Sequence, residues 1–173
     1  DRLCSFEHAT ATLTAAARTW RDDHAGWDAH GMKLWKRKPL QAFFGRYKPV
    51  KFATKIGARR QMVWAGKTTE ALEMHGVSRI EDGFLRSRGL GADLIPPLSL
   101  VVDDLGIYYD PSRPSRLETL IEASAALSDA DRRRAEALIA TLIGERLSKY
   151  NLGGANVADL PTGRRILVRF RLL

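Results

Sequence analysis

Residues 61–80, QMVWAGKTTEALEMHGVSRI, carry the rhythm that decides the fold. Gln61–Ala65 and Val77–Ile80 are short apolar runs of strand length. Between them Thr68–His75 has the composition of a helix, with Thr68 or Thr69 placed to cap it and Gly76 to stop it. Strand, helix and strand joined by short loops predict an α/β fold with a Rossmann-like parallel sheet and flanking helices. Working outward, Val50–Ala53 is a further short strand. Leu98–Val102 is another apolar run, Asp103–Gly106 a turn and Ile107–Tyr109 a returning strand, so a β-hairpin is expected on the main sheet.

The flanks read as helices. Cys4–Asp22 is rich in alanine, with Phe6, Leu13, Ala17 and Trp20 near one face, and Gly26–Gly31 is expected to break it. Residues 33–45 form an amphipathic helix with Leu34, Trp35, Leu40, Phe43 and Phe44 on its apolar side. A helix runs from Arg116 to about Ala126. A longer one opens at Ser128–Asp131 with acids in its first turn, and Leu138, Ile139, Leu142, Ile143 and Leu147 are its expected buried stripe. Tyr150–Gly163 reads as a linker, and Arg165–Arg169 as the first strand of a new unit.

At 173 residues and 45% hydrophobic, the chain suits one domain with a real core. No signal peptide is evident, and no apolar run approaches the roughly 18 residues of a membrane span. Cys4 is the only cysteine, which rules out an intramolecular disulfide and points to a reducing, cytosolic setting. The formal charge of +8 is uneven: residues 31–60 hold ten Lys/Arg and no acid. Such a patch attracts phosphates on nucleic acid, anionic lipid or a sugar nucleotide, or is simply a solvated basic face. Aromatics among these lysines can mark nucleic-acid or membrane contact, but core aromatics with snorkelling lysines explain them better.

Chemistry concentrates in residues 81–116, EDGFLRSRGLGADLIPPLSLVVDDLGIYYDPSRPSR. Ligands of open α/β sheets bind beyond the carboxyl ends of the strands, where Glu81 and Asp82 stand. Side chains alternate along a strand, so one carboxylate should face the crevice and the other the fold. A crevice carboxylate can act as general acid or base or hold a sugar hydroxyl; otherwise it caps a loop amide. Gly83 follows at once. Arg86, beside Ser87, can grip a carboxylate or phosphate in two places, or neutralise Glu81 internally. Gly89 and Gly91 permit close backbone approach to a ligand, but they lack the rest of a dinucleotide fingerprint, so no such cofactor is expected. Asp103–Asp104 suits a turn better than a metal, and no metal site is expected. Tyr108 leads into Ser112–Arg116, where Arg113 and Arg116 before a helix form a phosphate-binding corner, unless Ser115 merely caps the helix. The four histidines are scattered and support no hydrolytic triad.

The runs EDGFLRSRGLG, PPLSLVVDDLGIYYD and PSRPSRLETL, with LCSFEHAT, GMKLWKRKPLQAFFGR and SKYNLG, resemble capsular polysaccharide biosynthesis proteins of the KpsC/LipA type. The resemblance implies a retaining β-Kdo transferase of GT-B architecture, in which two Rossmann-like domains hold CMP-Kdo between them. FEHAT and WKRKPLQAFF resemble the second of the two transferase modules. On this likeness residues 1–150 are the acceptor-side domain, and 151–173 the linker and truncated start of the next. The family's acidic nucleophile loop and Lys-x-His-Pro-type motif do not follow Ile166–Leu173, and the chain starts without methionine. A fragment that transfers no sugar alone is therefore expected.

The likeness further implies Glu81 first and Asp82 second in acid/base or acceptor contact, with Arg86 pairing a Kdo carboxylate. Gly83, Ser87, Gly89, Tyr108, Arg113 and Arg116 complete the expected substrate contacts. The implied partners are CMP-Kdo, a lipid-linked Kdo acceptor, the anionic inner-membrane surface and other capsule assembly proteins, with no nucleic acid. No cofactor is implied beyond the donor, and the location implied is cytoplasmic, peripheral on the inner membrane. The alternatives are a non-catalytic anion-binding or nucleic-acid-binding module.

Overall fold

The computed structural model describes residues 6–153 and Gly163. A five-stranded sheet runs in the order β2-β1-β3-β4-β5, built from β1 (Trp27–His30), β2 (Lys51–Phe52), β3 (Arg60–Trp64), β4 (Ser78–Asp82) and β5 (Leu100–Asp103). The first four strands are parallel, and β5 closes one edge antiparallel to β4. Helices α1 (Phe6–Ala25), α2 (Leu34–Phe44), α3 (Glu70–Met74), α4 (Arg116–Ala123) and α5 (Asp129–Gly144) complete the α/β architecture.

Period-two alternation splits the core. Met62 and Ile80 pack with Trp27, Ala29 and Leu40 on the α2 face. Val63 packs with Leu72 and Val77 on the α3 face. Thr69 caps α3 by accepting a hydrogen bond from the Leu72 amide, and Gly76 follows the helix at φ +72°. The chain visits β2 on one side of β1 and then crosses to β3 on the other, so β1 and β3 flank the switch point of the sheet. The loops beyond them touch there. A Cβ on Gly31, itself at φ +65°, would lie 2.9 Å from the Lys67 Cβ.

Two expectations need correction, and one strand was not foreseen. Gly26 ends α1 after Ala25 as expected, but Gly26 and Gly31 also bracket β1, whose four residues are all buried. Its polar side chains find partners across the sheet: His30 Nε2 lies 2.7 Å from Gln61 Oε1, and Asp28 lies 3.9 Å from Arg59. Ile107–Tyr109 is not a returning strand. The buried Asp103 carboxylate instead accepts the amides of Leu105, Gly106 and Arg116, which winds the chain into turns and seats α4. The stripe of α5 is not buried either: Leu138 is 56% and Ile143 72% exposed. Its periodicity reports an apolar face, not a covering partner. Arg165–Arg169 lies outside the described residues. Among the described residues no helix is long and apolar enough to cross a membrane.

Candidate functional site

The last two residues of β4 separate by strand alternation. Asp82 turns to the α2 face. Its Oδ2 lies 2.7 Å from Nε of Arg86, a guanidinium with no exposed surface, although the N–H does not point along that line. Arg86 Nη1 donates to Ser87 Oγ, which donates to the Gly89 carbonyl, both at 2.7 Å. The loop that follows β4 is sewn to a distant segment. The amides of Arg86 and Ser87 donate to the Lys149 carbonyl and that of Gly89 to Tyr150, while Asn151 Nδ2 donates to the Ser87 carbonyl. Thus the LRSRG and SKYNLG runs, some sixty residues apart, form one structure.

Two glycines make this loop possible. Gly83 runs against β5, where a Cβ would lie 2.8 Å from the Ser99 carbonyl carbon. A Cβ on Gly91 would lie 2.7 Å from Arg86 Nη2, so Gly91 leaves room for the guanidinium. Arg86 and Ser87 are buried and paired inside the protein, and Gly83 and Gly89 serve backbone packing. Tyr108 belongs to the same scaffold: its hydroxyl donates to the Asp82 carbonyl at 3.4 Å and accepts from Lys149 Nζ at 3.1 Å. At the start of α4, Ser115 and Glu118 form a reciprocal capping box, and Arg116 grips Asp104 with two hydrogen bonds of 2.9 and 2.8 Å. The expected phosphate corner is therefore filled by the protein's own carboxylates.

Sequence reasoning did not single out Lys36, which α2 brings to Asp82. Its ammonium lies 2.8 Å from the centroid of the Trp64 ring, beside a void of about 10 Å³ that Asp82 also lines. Burial pushes its pKa down to about 8, against the pull of Asp82 and then Glu81. The signal in the sequence is only a lysine next to Trp35 in a run of three bases, which any solvated helix can show. An NMR titration of the Lys36 side chain should give a midpoint near 8, and Glu81→Gln should lower it further. A midpoint above 10 would refute this placement. Because the folded value lies below the ordinary lysine value of 10.5, the unfolded chain holds more protons between about 8 and 10.5. This lysine's contribution to stability therefore rises with pH across that window.

Glu81 turns to the α3 face, with Arg79 two residues before it. There a recess of about 270 Å³ opens beyond the end of β3, lined by Gly66, Thr68, Glu73, Arg79, Tyr109 and Arg113 among others. Tyr109 joins carboxylate and recess, its phenol donating toward Glu81. Burial first, then the Glu81 charge, pushes the Tyr109 phenol above its ordinary value. Arg79, nearly buried, donates to Glu73 at 2.6 Å, and Arg113 reaches the same carboxylate at 3.1 and 3.3 Å. These hydrogen bonds, Arg79's first, hold Glu73 below the usual carboxylate range. Of the residues singled out from sequence, Glu81 and Arg113 border this open face, while Asp82, Arg86, Ser87 and Tyr108 build the loop behind it. The alternation Arg79/Glu81 was the available signal for the first wall; the share of Glu73 and Tyr109 needed the tertiary structure.

Three comparisons bear on this geometry. The family profile described as "Capsule polysaccharide biosynthesis protein" matches residues 56–156, which contain β3, β4, the recess and the sewn loop. The capsule polysaccharide modification protein LipA of Neisseria meningitidis is 36% identical over 154 residues, covering 80% of this chain and 22% of that protein. The lipopolysaccharide-processing protein LpsZ of Rhizobium meliloti is 36% identical over 160 residues, 80% of this chain and 36% of that protein. Among solved structures, the β-Kdo 2,4-transferase of Thermosulfurimonas dismutans KpsC superposes with a TM-score of 0.62 at 29% identity, over 79% of this chain and 46% of that one. Its β-Kdo 2,7-transferase superposes at 0.52, also at 29% identity, over 69% of this chain and 43% of that one. The chain thus spans well under half the length of these curated relatives. It belongs to the capsule polysaccharide biosynthesis protein family.

Proposed function

We propose that this chain is the acceptor-side half of a β-Kdo transferase, passing Kdo from CMP-Kdo to a lipid-linked Kdo acceptor during capsule linker synthesis. The observation that carries this reading is the placement of Glu81. It stands at the carboxyl end of β4, a strand paired on both sides and one in from the sheet edge, on the face with the recess, in a chain that superposes on a Kdo transferase over 79% of its length. Glu81 takes the proton of the attacking acceptor hydroxyl while that oxygen bonds to the anomeric carbon of Kdo and the bond from that carbon to the nucleophile's carboxylate breaks, its electron pair returning to the carboxylate that had earlier displaced CMP. Asp82, Arg86 and Ser87 hold the strand end and its loop in place. Donor phosphate and nucleophile belong to the part of the module beyond this half.

The exposed bases around α2, including Lys33, Arg37, Lys38 and Lys51, suit an anionic membrane surface from which a lipid-linked acceptor is presented. Other bases of the 31–60 stretch are engaged within the fold: Arg59 donates to the Pro49 carbonyl, and Arg60 pairs with Asp22. On this reading the protein is peripheral on the cytoplasmic side of the inner membrane, and the exposed bases support that contact.

The test is a mass-shift assay with CMP-Kdo and a Kdo-capped acceptor. The 173-residue polypeptide should give no product, and the complete transferase carrying this half should extend the acceptor by one Kdo. Turnover by the polypeptide alone would refute the half-module reading. A complete protein that leaves this acceptor untouched but accepts another sugar nucleotide would refute the Kdo assignment.

A further inference from the structure

We infer that the recess beside Glu81 seats the acidic sugar ring of the acceptor, and that Arg113 takes that sugar's carboxylate by giving up Glu73. The inference rests on the transferase reading above and assigns the sugar's charged group to a residue. At about 270 Å³ the recess lies near the lower end of small-molecule sites, roughly 300–1,000 Å³, which suits one sugar ring. Ala65, Ile107 and Pro111 give it apolar surface for a ring's C–H face. Thr68, Asp110 and the Tyr109 phenol supply polar contacts for hydroxyls. The Asp110 carboxylate is fixed by the Ser112 amide at 3.0 Å.

Charge decides which group can receive an acid. Glu73, Asp110 and the neighbouring Glu81 already place three carboxylates in or beside the recess, so a fourth enters only if a guanidinium turns to it. Arg79 cannot turn, because it is 6% exposed and held by Glu73 at 2.6 Å and the Leu105 carbonyl at 3.4 Å. That short bond neutralises Glu73 without help. Arg113 is the surplus cation. Its contacts to Glu73 are longer and its side chain is 39% exposed, so exchanging one carboxylate for another costs little. Its planar fork suits the incoming carboxylate in two places. Arg86, with no exposed surface, cannot reach such a ligand.

The experiment titrates the 173-residue chain with the methyl β-glycoside of Kdo and, in parallel, with its carboxyl methyl ester, followed by amide NMR spectra. The acid should shift the amides of Gly66, Thr68 and residues 107–112 and bind about tenfold or more tighter than the ester, the mark of a charge-assisted pair. R113Q should bring the acid down to the level of the ester, with the remaining amides unmoved as evidence of an intact fold. R113K should recover part of the difference, since it keeps the charge and loses the fork. Equal binding of acid and ester in the recess would overturn the assignment. So would shifts confined to residues 82–89 with R113Q behaving as wild type, or no shift with either compound at tens of millimolar. None of these would touch the transferase reading, which stands or falls on CMP-Kdo turnover by the complete protein.

Discussion

Replacing Arg86 by alanine is expected to lower the free energy of unfolding by about 3–5 kcal/mol, the cost of breaking a buried pair from one side. The guanidinium has no exposed surface, lies 2.7 Å from Asp82 Oδ2 and donates to Ser87 Oγ. Removing it strands the Asp82 carboxylate, whose Oδ1 is buried with no hydrogen-bond partner among the described residues. It also empties a site around which the loop is folded, since Gly91 is shaped to its Nη2. Arg86→Lys should fare little better, because an ammonium cannot reach Asp82 and Ser87 together. Urea denaturation with a two-state fit measures the loss. Adding Asp82→Asn to Arg86→Met should recover part of it, because no unpaired charge then remains. A loss for Arg86→Ala under about 1 kcal/mol, the range of an exposed pair, would show that the guanidinium is not buried in solution.

Arg86 also shows where sequence stops being informative. Its type and neighbours suggest a ligand contact, because arginine among glycines at a strand end suits a phosphate or carboxylate. Burial reverses that role, and burial depends on Lys149–Asn151 closing over the loop from sixty residues away. The β3–α3–β4 unit was legible because apolar runs, a capping threonine and a stop glycine all agree locally. Strand β1 was not: WDAH lacks the apolar run that marks a buried parallel strand, and its Asp28 and His30 face partners from other elements, an ion pair with Arg59 and a hydrogen bond with Gln61. The hairpin failed for a similar reason. Asp103 looked like a turn residue, but its carboxylate binds three amides, including that of Arg116 thirteen positions on. Conversely, the divergence of Glu81 and Asp82 follows from strand period alone, and it divides the two acids between different tasks.

That division carries the second large effect. In the complete transferase, Glu81→Gln should reduce kcat by about 10²–10⁴-fold, the usual contribution of a positioned acid/base. The same substitution should leave unfolding of this chain within about 0.5 kcal/mol of wild type, as for a change away from buried networks. Asp82→Asn should behave in the opposite way. It leaves the Arg86 charge buried without its partner, so stability falls by about 3–5 kcal/mol. Any loss of activity should then track the fraction of folded enzyme. Acceptor KM separates the roles further: if Glu81 only held an acceptor hydroxyl, Glu81→Gln would raise KM with kcat nearly intact. The Tyr109 phenol, raised by burial and then by the Glu81 charge, offers a spectroscopic check within the folded chain. Glu81→Gln should lower the Tyr109 titration midpoint, because removing a neighbouring negative charge favours phenolate. An unchanged kcat with a large loss of stability would place Glu81 in the scaffold and leave the proton to another group.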